Sequence, residues 1–165
     1  MWRVLSRGIC VAVVCVSIFI LGFRQKNLIS ITCLDIGQGD GIVIQLPGGK
    51  TVMVDGGSSS KKKVASYQIL PYLKNQGISV VDAMLISHTD LDHISGVQEL
   101  LTLKEKHLTT LRIKNLLLPD WKAPEEVYYE LEEQAKRCGI SVLRLHQGQK
   151  LRFGDCLLYT SPSPR

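Results

Sequence analysis

The feature that most constrains this chain is an apolar stretch that runs directly into a cluster of ionisable side chains. Residues 78–87 (ISVVDAMLIS) carry Val80, Val81, Ala83, Met84, Leu85 and Ile86 in a nearly continuous series. Such a series suits a strand buried on both faces, and here it is expected to be covered by helices. It ends at HTDLDH, residues 88–93, after which residues 94–103 read as a helix. A buried strand that hands over to a helix through a polar turn belongs to a layered α/β arrangement.

The flanking segments fit the same scheme. Residues 28–36 alternate through Ile29, Ile31 and Cys33, residues 37–40 (GQGD) form a turn, and residues 41–46 are a second strand. A Pro-Gly-Gly-Lys turn at 47–50 leads to a third strand at 51–55, which makes an antiparallel meander. The polar loop 56–63 (GGSSSKKK) includes a lysine run that reads as a solvated loop edge. Helical spacing over 64–76 stops at Gly77, and Pro71 kinks that helix or opens a shorter second one. Downstream come a strand at 113–118, a helix at 124–138 closed by Gly139, a strand at 140–145, and the start of another at 151–153.

The cluster itself carries the chemistry. His88, Asp90, Asp92 and His93 put two imidazoles and two carboxylates into six residues, and a connection at a strand end can turn them toward one point. Imidazole and carboxylate donors suit zinc, manganese or iron without a thiolate. The plainer alternative is that Asp92 caps the following helix, which leaves His88, Asp90 and His93 without a role. Asp55 ends the third strand and precedes two glycines. It is either a turn former or a neighbour of the cluster that hydrogen-bonds a ligand imidazole and orients it.

VDGG (54–57) followed by SHTDLDHISG (87–96) resembles the first two motifs of the metallo-β-lactamase superfamily, with Asp90 where the family's usual HxHxDH has its second histidine. With LDIGQGDGIVIQ (34–45) added, the pattern resembles the C-terminal domain of the ComEC family of bacterial DNA-uptake membrane proteins. The resemblance covers residues 29–155. It implies a metallo-β-lactamase-like αββα sandwich, of which this chain holds the N-terminal part. It implies His88, Asp90, Asp92 and His93 as metal ligands, and Asp92 and Asp55 as catalytic residues. Asp92 would lie nearest the attacking water and accept its proton. One or two divalent ions are implied, zinc or manganese, with magnesium as a third candidate; Asp90 in place of a histidine makes the site harder and favours manganese or magnesium. Asp40 either faces the site or only builds the turn. His107 and His146 match no motif and are expected at the surface.

The implied activity is hydrolysis of DNA phosphodiester bonds during uptake. Single-stranded DNA is the partner, with the membrane and other competence proteins beside it, and the domain lies on the extracytoplasmic side of a bacterial cell membrane. Two other functions compete. One is a non-catalytic domain that guides DNA at a channel mouth; the other is a stand-alone, membrane-anchored hydrolase of a small ester or lactam. Complete downstream ligands would favour catalysis, and a true start codon at Met1 would favour the stand-alone enzyme. The net charge of +5 permits contact with nucleic acid or anionic lipid without requiring it.

The two ends read differently from the body. Residues 8–23 carry no charge, and the stretch 4–23 has the length of a membrane span if Arg7 reaches the interface. No small-x-small cleavage site precedes Arg24, so residues 1–27 are expected to be a retained membrane anchor, or the last transmembrane helix of a longer protein, giving one transmembrane helix before the domain at 28–155. The last ten residues, CLLYTSPSPR (156–165), resemble the translation of a transposase-based sequencing adapter. The chain is therefore expected to be a fragment that stops before the family's later ligands and is inactive alone. Cys10, Cys15, Cys33, Cys138 and Cys156 show no CxxC spacing and read as buried small hydrophobes, which excludes a zinc ribbon or disulfide scaffold.

Overall fold

The uncharged N-terminal run lies in helix α1 (Trp2–Gly22), which also carries Arg3 and Arg7 in its first turns. The structure, a computed structural model, describes residues 2–22, 28–120, 126–146, 148–154 and 156–159, with side chains except at 2–6, 19–22 and 157–159. Among the described residues no helix is long and apolar enough to cross a membrane, so the expected transmembrane helix has no support from the structure. Residues 23–27 of the expected anchor, and residues 160–165 of the expected adapter-derived tail, lie outside the described residues.

Gly and Pro punctuate the next segment into the expected meander: β1 (Ser30–Cys33), β2 (Gly41–Leu46) and β3 (Lys50–Asp55) pair antiparallel. Ala65–Ile69 then winds as a π turn and passes directly into α2 (Leu70–Asn75), with Pro71 in the first turn of α2. There the missing proline N–H costs nothing, so Pro71 marks a helix start. Glu99 closes the other end of this element. Its carboxylate accepts hydrogen bonds from the Ala65 and Ser66 N–H groups at 2.9 and 3.3 Å.

The apolar stretch 78–87 is not one strand. It forms β4 (Val80–Val81) and β5 (Ala83–Leu85), broken at Asp82. After α3 (Leu91–Glu105), the next strand is broken in the same way at Lys114, into β6 (Arg112–Ile113) and β7 (Asn115–Pro119). The two breaks answer one another: Lys114 Nζ lies 2.6 Å from Asp82 Oδ1, and the Asn115 amide donates to the Asp82 carbonyl at 2.8 Å. β4 and β6 pair as a separate parallel ribbon. Then follow α4 (Glu126–Arg137), β8 (Ser141–Leu145) and a hairpin of β9 (Lys150–Phe153) with β10 (Cys156–Tyr159).

The main sheet has the order β1-β2-β3-β5-β7-β8, and its last four strands run parallel. One face carries Val43, Met53, Met84 and Leu116 against Ile69, Leu73, Ile94, Val97, Leu101 and Leu131 from the helices. The other carries Leu46, Val52, Ala83 and Leu117 beneath Leu151, Phe153 and Cys156 of the hairpin. Helices therefore cover one face of the sheet, and the β9–β10 hairpin covers part of the other. The hairpin reaches only part of that face, so Ile29 and Ile31 at the β1 edge and Leu143 of β8 stay exposed. The architecture is an α/β layer, a central sheet with helices packed on one face.

The cysteine reading is corrected as well. All five are free, but Cys10, Cys15 and Cys33 are exposed and Cys138 and Cys156 only partly buried. Two of the exposed ones sit on α1 and one on β1.

Asp82 supplies a stability test. It is buried, and its carboxylate accepts the Thr51 N–H at 3.0 Å and faces Lys114 and, at 3.4 Å, Lys50. Burial pushes its pKa up, but the Lys114 contact, the Thr51 hydrogen bond and the Lys50 charge outweigh that and hold it below 3.8. A lowered folded-state pKa means stability that is present above the ordinary carboxylate value and lost as pH falls through the folded one. With both lysines about two-fifths exposed, Asp82→Asn should cost about 1–2 kcal/mol at pH 7. Urea unfolding should show the gap to wild type closing as the pH drops below 3.8.

Candidate metal centre

The site forms where β3, β5 and the start of α3 meet the GQGD turn. β3 and β5 are parallel neighbours, with Val54 opposite Leu85, so their ends bring Asp55 next to Ser87 and His88. Asp55 has φ +53, an uncommon conformation for a residue other than glycine, and it is buried. Such outliers persist where the surroundings hold them and often mark functional positions. Here the held group is the carboxylate. It accepts hydrogen bonds from Ser87 N (2.8 Å), Ser87 Oγ (2.6 Å) and His93 Nδ1 (3.0 Å).

These bonds decide which nitrogen each histidine offers. A carboxylate only accepts, so His93 Nδ1 donates and its Nε2 keeps the free lone pair. Ser87 Oγ spends its proton on Asp55, so it accepts from His88 Nδ1 at 2.9 Å, which leaves His88 Nε2 free too. The two rings lie 3.6 Å apart between centroids, tilted by 46°.

The expected ligands lie as follows. Donor atoms of His88, Asp92 and His93 all lie within 4.8 Å of one another. His93 Nε2 is 3.7 Å from Asp92 Oδ2, and His88 Nε2 is 3.4 Å from Asp90 Oδ2. Two donors on one ion at about 2.1 Å stand roughly 3.0–4.2 Å apart, so both pairs fit a divalent cation. Asp90 belongs to the His88 pair and not to the group of three. Its carboxylate is largely exposed.

The alternative of Asp92 as helix cap is corrected by position. Helix α3 starts earlier than the apolar periodicity suggests: Asp90 stands at the N-cap, its side chain makes no capping bond, and Asp92 is already inside the first turn. That turn is held from outside by backbone. Asp40 N donates to Asp92 O at 3.0 Å, and Gly56 N donates to His93 O at 2.9 Å. The approach is close enough to demand glycine. A Cβ on Gly57 would lie 2.5 Å from Leu91 O, His93 C and Ile94 N, and one on Gly39 would lie 2.1 Å from Gly57 O. Ser95 locks the same loop, accepting the Ser58 N–H at 2.8 Å and donating to the Ser58 carbonyl at 3.1 Å.

Ser87 was not singled out in the sequence, although a hydroxyl directly before the first histidine was the available signal. Lys61 of the lysine run pairs with the exposed Asp35 at 2.9 Å, which lowers the Asp35 pKa through that hydrogen bond. His107 and His146 are both exposed, the latter 2.9 Å from Asp120. The centre as a whole is a His/Asp site able to hold a divalent ion.

The chain is 26% identical to ComE operon protein 3 of Bacillus subtilis strain 168, over 93% of this chain and 21% of that protein. It is 33% identical to Recombination protein 2 of Haemophilus influenzae, over 60% of this chain and 12% of that protein. The chain thus spans about one fifth or less of the length of these relatives. A solved diphosphatase of the PhnP family aligns over 74% of this chain and 42% of its own, with 17% identity and a TM-score of 0.47. Both sequence relatives are consistent with the ComEC-type resemblance. The metallo-beta-lactamase superfamily model matches residues 34–142, a span that contains Asp55, Ser87 and the whole His88 to His93 cluster, and the chain belongs to that superfamily.

Proposed function

We propose that this chain is part of a metal-dependent phosphodiester hydrolase in a ComEC-like DNA-uptake membrane protein. The observation that carries the reading is the Asp55–His93 hydrogen bond, which aims His93 Nε2 at the Asp92 carboxylate beside His88. His88 and Asp90 would hold one ion, and Asp92 and His93 a second. Manganese or zinc suits these donors, and the hard carboxylate of Asp90 favours manganese or magnesium. When bound, such ions lower the pKa of a water toward neutrality and polarise the phosphoryl oxygen.

The chain's own residues do the rest. Asp55 holds the proton on His93 Nδ1, and Ser87 holds the His88 ring in the matching tautomer. Asp92, whose side chain is 42% exposed, is open to substrate and accepts the proton of the attacking water. The site sits at the surface of the sheet end, where a polymer such as single-stranded DNA can lie across it. The net charge of +5 supports contact with phosphates.

Helix α1 is read as the membrane anchor of the domain, on the extracytoplasmic side. Support comes from Ile9, Val11, Val13, Val14, Val16 and Ile18, all outward and exposed.

The test is metal removal. The full-length protein, incubated with an end-labelled single-stranded oligonucleotide, should stop cleaving after chelation with EDTA and recover with manganese. Cleavage that persists in a chelated, metal-free preparation would refute the reading.

A further inference from the structure

We infer that the end of the sheet opposite the metal centre docks on an anionic lipid surface, through Leu28, Leu108 and the cations around them. The inference rests on the membrane reading of α1, and it adds a docking face and an orientation.

The topology puts this face next to the anchor. β3 runs from Lys50 to Asp55, so Lys50 lies about 17 Å along the strand from the Asp55 end. Ser30 of β1 pairs opposite Gln45 of β2, and Leu46 opposite Lys50, so the chain enters the sheet at the Lys50 end. Residues 23–27 are all that separates Leu28 from Gly22, the last residue of α1. A connection of that length spans at most about 20 Å. A lipid-embedded α1 therefore keeps the Lys50 end close to the bilayer.

The surface at that end is both apolar and cationic. Two grooves meet at Gly77, Ile78 and Ser79; Leu28 and Lys50 line one, and Leu108 and Lys74 line the other. Leu28 is 65% exposed and Leu108 is 68% exposed, so both leucines face solvent. Lys106 caps the end of α3 just before Leu108, and Arg112 donates its N–H to the Ser79 carbonyl at 3.0 Å. Among the described residues, Lys74, Lys106 and Arg112 have no carboxylate within 4.0 Å, and Lys50 shares Asp82 with Lys114. Exposed leucines among unpaired cations suit an anionic bilayer, where apolar side chains enter the headgroup boundary and cations meet phosphates. Nucleic acid would satisfy the cations too, but it offers no apolar layer for the leucines. Docked in this way, the metal centre faces away from the bilayer.

The test is hydrogen–deuterium exchange of the full chain in nanodiscs of phosphatidylglycerol and, separately, of phosphatidylcholine. Phosphatidylglycerol should slow exchange at residues 76–80 and 106–112 roughly tenfold or more relative to phosphatidylcholine, and leave residues 88–93 unchanged. Lys74→Glu, Lys106→Glu and Arg112→Glu combined should abolish that protection. All three side chains are on exposed residues, and the comparison of lipids on wild type stands without the variant. Equal exchange of wild type in the two lipids would overturn the docking face and leave the anchor standing. Protection of the same segments by a single-stranded oligonucleotide in detergent, with none from phosphatidylglycerol, would overturn it in favour of nucleic acid. A chain that enters neither nanodisc would overturn the membrane reading together with the inference.

Discussion

Replacing Asp92 with alanine should lower DNA cleavage by the full-length protein roughly 10²–10⁴-fold. The carboxylate has two assigned tasks, holding an ion with His93 and taking a proton from the attacking water, and alanine removes both. Its position comes from the first turn of α3, whose backbone is held by Asp40 N and Gly56 N rather than by the Asp92 side chain. The variant should therefore fold normally. Steady-state kinetics on a labelled single strand should place the loss in kcat, since the interaction is made mainly in the transition state. Asp92→Asn keeps the shape and loses the charge, and it should fall nearly as far. Undiminished cleavage in either variant would leave the proposed role of Asp92 without support.

Gly57→Ala should destabilise the fold by about 3 kcal/mol or more, because the added methyl group meets backbone and not a side chain that can turn away. The Cβ would lie 2.5 Å from Leu91 O, His93 C and Ile94 N, so the loop after Asp55 and the start of α3 would have to separate. At about 2–4 °C per kcal/mol for a chain of this size, the melting temperature should drop by roughly 6–12 °C. Separation also breaks the Gly56 N to His93 O bond and pulls His93 from Asp55, so metal uptake should fall with stability. Gly48→Ala provides the contrast. That glycine has φ +75 and open space around its Cβ, so the cost is backbone strain alone, about 1 kcal/mol. Equal melting temperatures for the two variants would refute the crowding argument.

The elements that could be read from the sequence are those governed by neighbours along the chain. The β1–β2–β3 meander follows from alternation and from the Gly and Pro turns between the strands. The helix boundary at Pro71 follows from the missing N–H, and the HTDLDH cluster is visible because its six residues are contiguous. The readings that needed correction depend on contacts across the fold. The break at Asp82 looks like one acid in an apolar run, and only its pairing with Lys114, 32 residues away, turns it into the junction between two ribbons. The early start of α3 is set by Asp40 and Gly56 from other segments, which apolar periodicity cannot report. The exposed Cys33 and Ile31 have the pattern of a buried face, but burial requires a covering layer, and the hairpin at β9 and β10 reaches only part of the sheet.

The same division runs through the site. By itself the sequence determined the kinds of donor, their order, and the strand and helix that carry them, because residue type and local spacing are properties of a short segment. Tertiary structure alone decided which donor atoms lie within reach of one another and that Ser87 and Asp55 meet the histidine rings. Those outcomes depend on hydrogen bonds a few ångströms long between segments tens of residues apart, and such distances exist only once the sheet has aligned its strand ends.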